Sequence, residues 1–287
     1  MPEGHSLHRL ARSLNRGFAK HAVEASSPQG RFAAGAALLD GRVLEQAEAW
    51  GKHLFVRFEG EQVLHVHLGL YGTWVRAKAP SPPPWGALRL RIENDAWYAD
   101  LRGPTACDLV GEEGRARIIA RLGPDPLRKD ADGSRMVERI GRSRAPVGAM
   151  LMDQSVVAGI GNIYRAELLH RHGVSPFVEG RALPEETVSA MWDDIVVLMK
   201  DGVRRGRIVT VDPDDVARLG ELDHDRPAAD DPDLDGGEDT QARRRLRRST
   251  GSYVYRRDGR PCLRCGTTIA VMDFHGRRLY WCPGCQT

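Results

Sequence analysis

Hydrophobic positions in the first eighteen residues recur at helical spacing. Leu7, Leu10, Ala11, Leu14 and Phe18 form one stripe, with Arg9, Arg12 and Arg16 off it, which predicts an amphipathic helix. From about residue 43 to 110 the period falls to two. The runs HLFVRFE and QVLHVHL flank a turn at Glu59-Gly60-Glu61 and read as a hairpin. Further on, Leu88, Leu90 and Ile92 alternate with Arg89 and Arg91. PSPPP at 80–84 is a stiff surface connection, and LGPDP at 122–126 marks a boundary. Beyond it the pattern turns helical. Ala149 to Val157 leads into Gly159-Ile160-Gly161-Asn162, after which a helix restarts. Pro184-Glu185-Glu186 opens another helix, with Val188, Met191, Trp192, Ile195, Leu198 and Met199 on one face.

The chain has 287 residues, 41% of them hydrophobic, so it can bury a sizeable core in one large or a few smaller domains. No stretch of eighteen apolar residues excludes a membrane-spanning helix, and the charged front end lacks the apolar run of a secretory signal. A cytoplasmic protein is expected, and nothing points beyond a monomer. The formal net charge of +3 conceals a polarised distribution. Residues 212–240 carry twelve acidic residues against Arg218 and Arg226, and residues 241–287 carry eleven arginines against Asp258 and Asp273. That arrangement predicts a solvated, disordered spacer ahead of a polyanion-binding tail, although two segments that neutralise each other would read the same way.

Four of the five cysteines lie near the C-terminus. Cys262, Cys265, Cys282 and Cys285 form two C-x2-C pairs sixteen residues apart, each on a tight turn. Four thiolates so placed can bind one Zn²⁺ tetrahedrally at about 2.3 Å. With every position taken by sulfur, no open site remains for water, so the metal is structural. It replaces a hydrophobic core that so short a unit cannot build. Two redox-active disulfides are the alternative. Cys107 stands apart and reads as a small buried hydrophobe.

Two further stretches could carry chemistry. Removal of Met1 would leave Pro2 with a secondary amine, which can attack an aldehyde-level carbon and form an iminium that is a natural electron sink. Glu3 beside it could move protons. The same two residues are also ordinary helix starters, Pro at the first helical position and Glu in the first turn. Asn162, after Gly161, is a candidate N-cap, and the unpaired N–H groups of that terminus could hold phosphate. Arg277 sits beside Gly276 at the tip of a two-stranded ribbon between the cysteine pairs, where a fixed cation could grip a phosphate.

Taken in order, these motifs resemble the formamidopyrimidine-DNA glycosylase and endonuclease VIII family of DNA repair enzymes. The resemblance runs through PEGH (Pro2–His5), GKHL (Gly51–Leu54), HLGLYG (His67–Gly72), MDQSVVAGIGNIYRAELL (Met152–Leu169) and GRRLYWCPGCQ (Gly276–Gln286). It implies a bifunctional glycosylase and AP lyase that acts on damaged double-stranded DNA, with β,δ-elimination after base removal. Pro2 would be the Schiff-base nucleophile, Glu3 the acid/base, and Lys52 a phosphate contact that assists base departure. Asn162 and Arg277 would clamp the phosphates flanking the lesion, and His67 would contact DNA. Leu70 and Tyr71 match the wedge that fills the hole left by a flipped nucleotide. Gly69 departs from the glutamine commonly found there. Arg102 lies where the formamidopyrimidine branch carries a second wedge arginine. The acidic tract occupies the place of a base-capping loop in 8-oxoguanine-specific relatives, which tilts the reading toward endonuclease VIII and oxidised pyrimidines.

The expected fold is α+β. Residues 1–125 form a catalytic domain, an N-terminal helix on a β-sandwich. Residues 126–211 form a helical domain with a helix–two-turn–helix motif. Residues 212–249 form a linker, and residues 250–287 a zinc ribbon. The resemblance further implies that DNA lies between the halves, where Pro2, Lys52, Asn162 and Arg277 converge.

Overall fold

The computed structural model describes residues 2–212, 215 and 251–287. By packing, the chain divides into Met1–Arg135 with Asp153–Ile160, and Met136–Met152 with Gly161–Thr287. The 212–249 linker, apart from Asp212 and Asp215, lies outside the described residues, and so does the disorder expected of it.

The first unit opens with helix α1 (Gly4–Phe18), followed by β1 (His21–Ala22), β2 (Glu24–Ser26) and α2 (Ala33–Leu39). Then come β3 (Val43–Trp50), β4 (His53–Phe58), β5 (Gln62–His67), β6 (Thr73–Lys78), β7 (Leu88–Glu93), β8 (Trp97–Arg102) and β9 (Ala106–Leu109), and helix α3 (Gly111–Ile119). The strands form two antiparallel sheets, β1-β3-β4-β5-β9 and β2-β7-β8-β6. Leu7, Leu14 and Phe18 of α1 enter one cluster with Leu54, Val56, Phe58, Leu64, Leu90, Ile92 and Leu101 from both sheets. The expected sandwich with its helix is therefore present. Its alternation was readable where one face of a strand lies in hydrocarbon, as with Leu54, Val56 and Phe58 of β4 and Leu90 and Ile92 of β7.

Helix α4 (Ser134–Gly141) leads to the second unit, which contains α5 (Val147–Met150), α6 (Asn162–Arg171), α7 (Glu185–Arg205) and the hairpin β10 (Ala270–Phe274) and β11 (Arg277–Trp281). The helical pattern from Ala149 to Val157 does not hold. Helix α5 ends at Met150, and residues 151–160 form turns. The side chain of Asp153 accepts the Ser155 N–H at 2.8 Å, an Asx turn that competes with helical hydrogen bonding. Helix α7 does follow its pattern, with Val188, Met191, Ile195, Leu198 and Met199 buried, and Gly206 closes it at φ 72°. Among the described residues no helix is long and apolar enough to cross a membrane.

Candidate functional site

In the first unit, the N-terminal residues and the β3–β4 turn meet the same short segment, residues 158–159. Helix α1 begins at Gly4, not at Pro2: Glu3 is its N-cap, with an extended backbone (φ −116°, ψ 174°). The expectation of Pro2 and Glu3 inside the first turn is thus corrected. The Gly4 N–H leaves the helix to donate to the Gly159 carbonyl at 2.9 Å, and the Glu3 carbonyl accepts from Ser6 N at 2.8 Å. Pro2 is half-buried, and Glu3 is fully buried.

Lys52 sits on the two-residue turn between β3 and β4, with Trp50 paired to His53 across it. Gly51 takes φ +56°, and a Cβ there would lie 2.9 Å from the Ala158 Cβ and 3.1 Å from the Gly159 nitrogen. Only glycine lets this turn approach the 158–159 backbone so closely. The approach is held from below by Asp125, which is buried. Its Oδ2 accepts from Gly51 N and from His8 Nε2, each at 2.7 Å, and its Oδ1 accepts from Leu127 N at 2.9 Å. One carboxylate therefore joins α1, the Lys52 turn and the 122–127 segment. In the sequence LGPDP marks only a boundary; the signal there is an acidic residue isolated between two prolines.

His67 ends β5 with its ring 5.0 Å from that of His53, which lies 5.1 Å from His65. His53 Nδ1 and His65 Nε2 share a hydrogen bond of 2.9 Å. Burial pushes His53 down to about 3 and His65 down to about 4. Burial, then the nearby Lys52 charge, also lowers His67. The row is consequently neutral near pH 7, so the His67 imidazole can hydrogen-bond but carries no fixed charge. After β5 the chain turns through Gly69 (φ +69°), closed by Gly72 N donating to the Leu68 carbonyl at 3.0 Å. A Cβ at 69 would lie 1.9 Å from Thr105 Oγ1, which accounts for glycine at this position. The turn exposes Leu70 at 40% and Tyr71 at 87%, unusual for a large apolar side chain and an aromatic ring. Cys107 is buried, and burial pushes its thiol up to about 12, as expected of a packing residue.

The second unit gathers the other two candidates. Gly161, and not Asn162, is the N-cap of α6, and Asn162 occupies the first helical position without capping it. Its side chain turns instead to the finger hairpin, where Nδ2 donates to the Arg278 carbonyl at 2.9 Å. Its Oδ1 accepts from Arg165 Nη2, which also donates to the Arg278 carbonyl at 3.1 Å. Asn162 is thereby tied to the residue beside Arg277. The β10–β11 turn, His275-Gly276, has φ 49° and 71°, and Arg277 follows it, paired with Phe274. The buried Arg165 escaped sequence reading because an arginine on a helix ordinarily reads as solvated.

The sulfur ligand atoms of Cys262, Cys265, Cys282 and Cys285 all lie within 4.8 Å of one another. Separations of 3.8 Å (Cys262–Cys285) and 3.4 Å (Cys265–Cys282) rule out disulfides. They suit a tetrahedron with Zn–S near 2.3 Å, whose edges are about 3.8 Å. His170 of α6 reaches the cluster, with Nε2 3.4 Å from Cys262 Sγ. Nearby, the buried Glu167 accepts the N–H groups of Tyr253, Val254 and Tyr255 and the Thr210 hydroxyl.

Three family descriptions match successive parts of the chain. The formamidopyrimidine-DNA glycosylase N-terminal domain matches residues 1–107, the formamidopyrimidine-DNA glycosylase H2TH domain residues 122–213, and the zinc finger found in FPG and IleRS residues 259–287. Endonuclease 8 1 of Mycobacterium tuberculosis is 47% identical over 291 residues, covering all of both chains. Probable endonuclease 8 2 of Streptomyces coelicolor is 31% identical over 303 residues, covering 100% of this chain and 94% of that one. Among solved structures, the Lactococcus lactis formamidopyrimidine-DNA glycosylase complex with abasic-site DNA superposes with a TM-score of 0.75. It covers 99% of each chain at 20% identity and shows the shared fold.

Proposed function

The chain belongs to the formamidopyrimidine-DNA glycosylase and endonuclease VIII family, in its endonuclease VIII branch, and we propose that it removes oxidised pyrimidines from damaged double-stranded DNA. It is a bifunctional DNA glycosylase and AP lyase with one structural zinc site. The Pro2 amine attacks the sugar C1′ carbon, the base departs, and the resulting iminium draws electrons so that β- and then δ-elimination cut the strand. Glu3 moves the proton that opens the sugar ring, and Lys52 contacts phosphate and assists base departure. Asn162 and Arg277 hold the flanking phosphates, His67 contacts DNA, and Leu70 and Tyr71 fill the vacated stack.

The observation that carries this reading is the N-terminal arrangement. A fully buried Glu3 stands at the mouth of α1, and the Lys52 turn packs on the same Gly159 that accepts from Gly4. A protein that merely bound DNA would not need a buried carboxylate beside a potential free amine. Division at residues 125, 211 and 249 belongs to the same proposal, as does a cytoplasmic place at the nucleoid.

Formamidopyrimidine and 8-oxoguanine removal is the second reading. A Prochlorococcus marinus relative, 32% identical over 78% of this chain, is named formamidopyrimidine-DNA glycosylase. The 47% identity over the whole length to endonuclease 8 1 favours oxidised pyrimidines. Duplexes carrying thymine glycol, dihydrouracil or 8-oxoguanine separate the two by relative cleavage rate. The chemistry itself is tested by borohydride trapping on abasic-site DNA. A covalent adduct is expected, greatly reduced by Pro2→Gly, because the imine of a primary amine must be protonated before it draws electrons whereas proline's iminium is already cationic. If protein shown by mass to start at Pro2 gives no adduct, the assignment of Pro2 is wrong.

A further inference from the structure

The proline-rich connection between β6 and β7 ends in Trp85, whose side chain remains 65% exposed. It is nevertheless anchored. The Arg102 guanidinium lies 4.2 Å from the centroid of its ring and covers one face. Arg102 is itself fixed, because Nη2 donates to Asp100 Oδ2 at 2.6 Å. The same buried Asp100 takes two hydrogen bonds from Arg91, at 2.6 and 2.8 Å. Two guanidinium groups thus share one carboxylate, and Glu93 approaches Arg91 (3.9 Å) rather than Arg102. The loop is closed beneath the ring by Gly103 N donating to the Ala87 carbonyl at 3.2 Å.

The strand register gives this pair its place. Arg102 is the partner of Thr73 across β6 and β8, two residues beyond Tyr71. The exposed ring therefore stands at the same end of the sheet as the Leu70–Tyr71 turn, on which Thr105 also packs through Gly69. A positively backed aromatic face beside an exposed tyrosine has the composition of a single-strand nucleic-acid platform. One ring is far too small for a stable protein interface, which buries on the order of 1,000 Å².

We propose that Trp85, held by Arg102, is a stacking site for an unpaired nucleobase, one that lies next to a lesion in a bubble, fork or single-stranded stretch. This rests on the reading of Leu70 and Tyr71 as the DNA wedge. Arg102 then acts as the support of the platform, since its Nη2 is bound to Asp100 and its guanidinium lies over Trp85. The ring accepts any base, because every base offers a π face, and it contributes no sequence preference.

The test is binding of the full chain to two labelled oligonucleotides that carry the same abasic-site analogue. In one the analogue is flanked by three unpaired thymines, and in the other by continuous duplex. The bubble-to-duplex affinity ratio should fall about tenfold in Trp85→Ala. Trp85→Tyr should keep most of it, and Trp85→Leu, equally apolar but without a π face, should behave like alanine. A ratio unchanged in Trp85→Ala, or retained in Trp85→Leu, overturns the proposal. Failure of the wild-type chain to bind or be trapped on either DNA would instead sink the glycosylase reading. Thermal melting of each variant guards against a folding defect: one that melts early is replaced by Trp85→His, for which partial retention is the expected result and complete retention of the ratio counts against stacking.

Discussion

Two hairpins in this protein each present a basic residue at a two-residue turn, and they are held in opposite ways. The β3–β4 hairpin offers Lys52 and lies within a five-stranded sheet, with Leu54, Val56 and Phe58 completely buried. The β10–β11 hairpin offers Arg277 and belongs to a two-stranded ribbon, whose first strand exposes Val271 and Met272 at 38% and 42%. Hydrocarbon fixes the first. The second has a smaller cluster, with Tyr253, Leu263, Ile269 and Tyr280, supplemented by four thiolates around a metal and by Asn162 and Arg165 gripping the Arg278 carbonyl. A short segment can position a charge as firmly as a large domain does when a metal supplements a small core.

The largest effect should come from removing that metal. Structural zinc in small fingers is worth about 10 kcal/mol or more. Chelation or Cys282→Ser should therefore unfold the ribbon and abolish DNA binding, while the sandwich keeps its own melting transition. A single transition lost together in calorimetry would break the contrast. Next, Phe58→Ala should destabilise the sandwich by about 3–5 kcal/mol and leave zinc content unchanged, as measured by denaturant melts and metal analysis.

Acid should weaken the sandwich through its buried histidines. Burial holds His5 and His65 down to about 4 and His53 down to about 3, all in the first unit. In the unfolded chain these groups bind protons below about 6.5, where the folded ones still refuse them. Their stabilising effect is thus complete above pH 6.5 and is lost as pH falls from 6.5 toward 3. The sandwich transition should drop by several degrees between pH 7 and 4.5, and His53→Phe should flatten that slope. An equal slope in the variant would show that the histidine row is not the cause.

The finest comparison uses the turn glycines. Gly51→Ala meets both a positive φ and the Ala158 side chain 2.9 Å away, so it should cost about 2 kcal/mol and displace Lys52. Gly276→Ala meets only the strained backbone, since nothing lies within 4 Å, and should cost about 1 kcal/mol. Lyase rate on abasic DNA should follow the same order. A reversed order would mean that the finger turn, not the sandwich turn, is the more tightly fitted.

Much of this is legible in the amino-acid sequence. The strands of the first unit, the helix of Leu7, Leu14 and Phe18, the long helix after Pro184 and the zinc quartet each rest on local periodicity or spacing. Such signals survive in one dimension because one face of each element meets a uniform environment. Pro2, Glu3 and Lys52 were visible only as motifs, with ordinary alternatives. Tertiary structure alone decided that Glu3 stands at the N-cap position of α1 and not within it, and that Asn162 reaches across to the Arg278 carbonyl instead of capping its helix. It alone showed that Asp125 serves α1 and the Lys52 turn at once. The reason is common to Asn162 and Asp125. A polar side chain that leaves water must find its partner wherever the fold brings one, and that partner can be 117 residues away, as His8 is from Asp125.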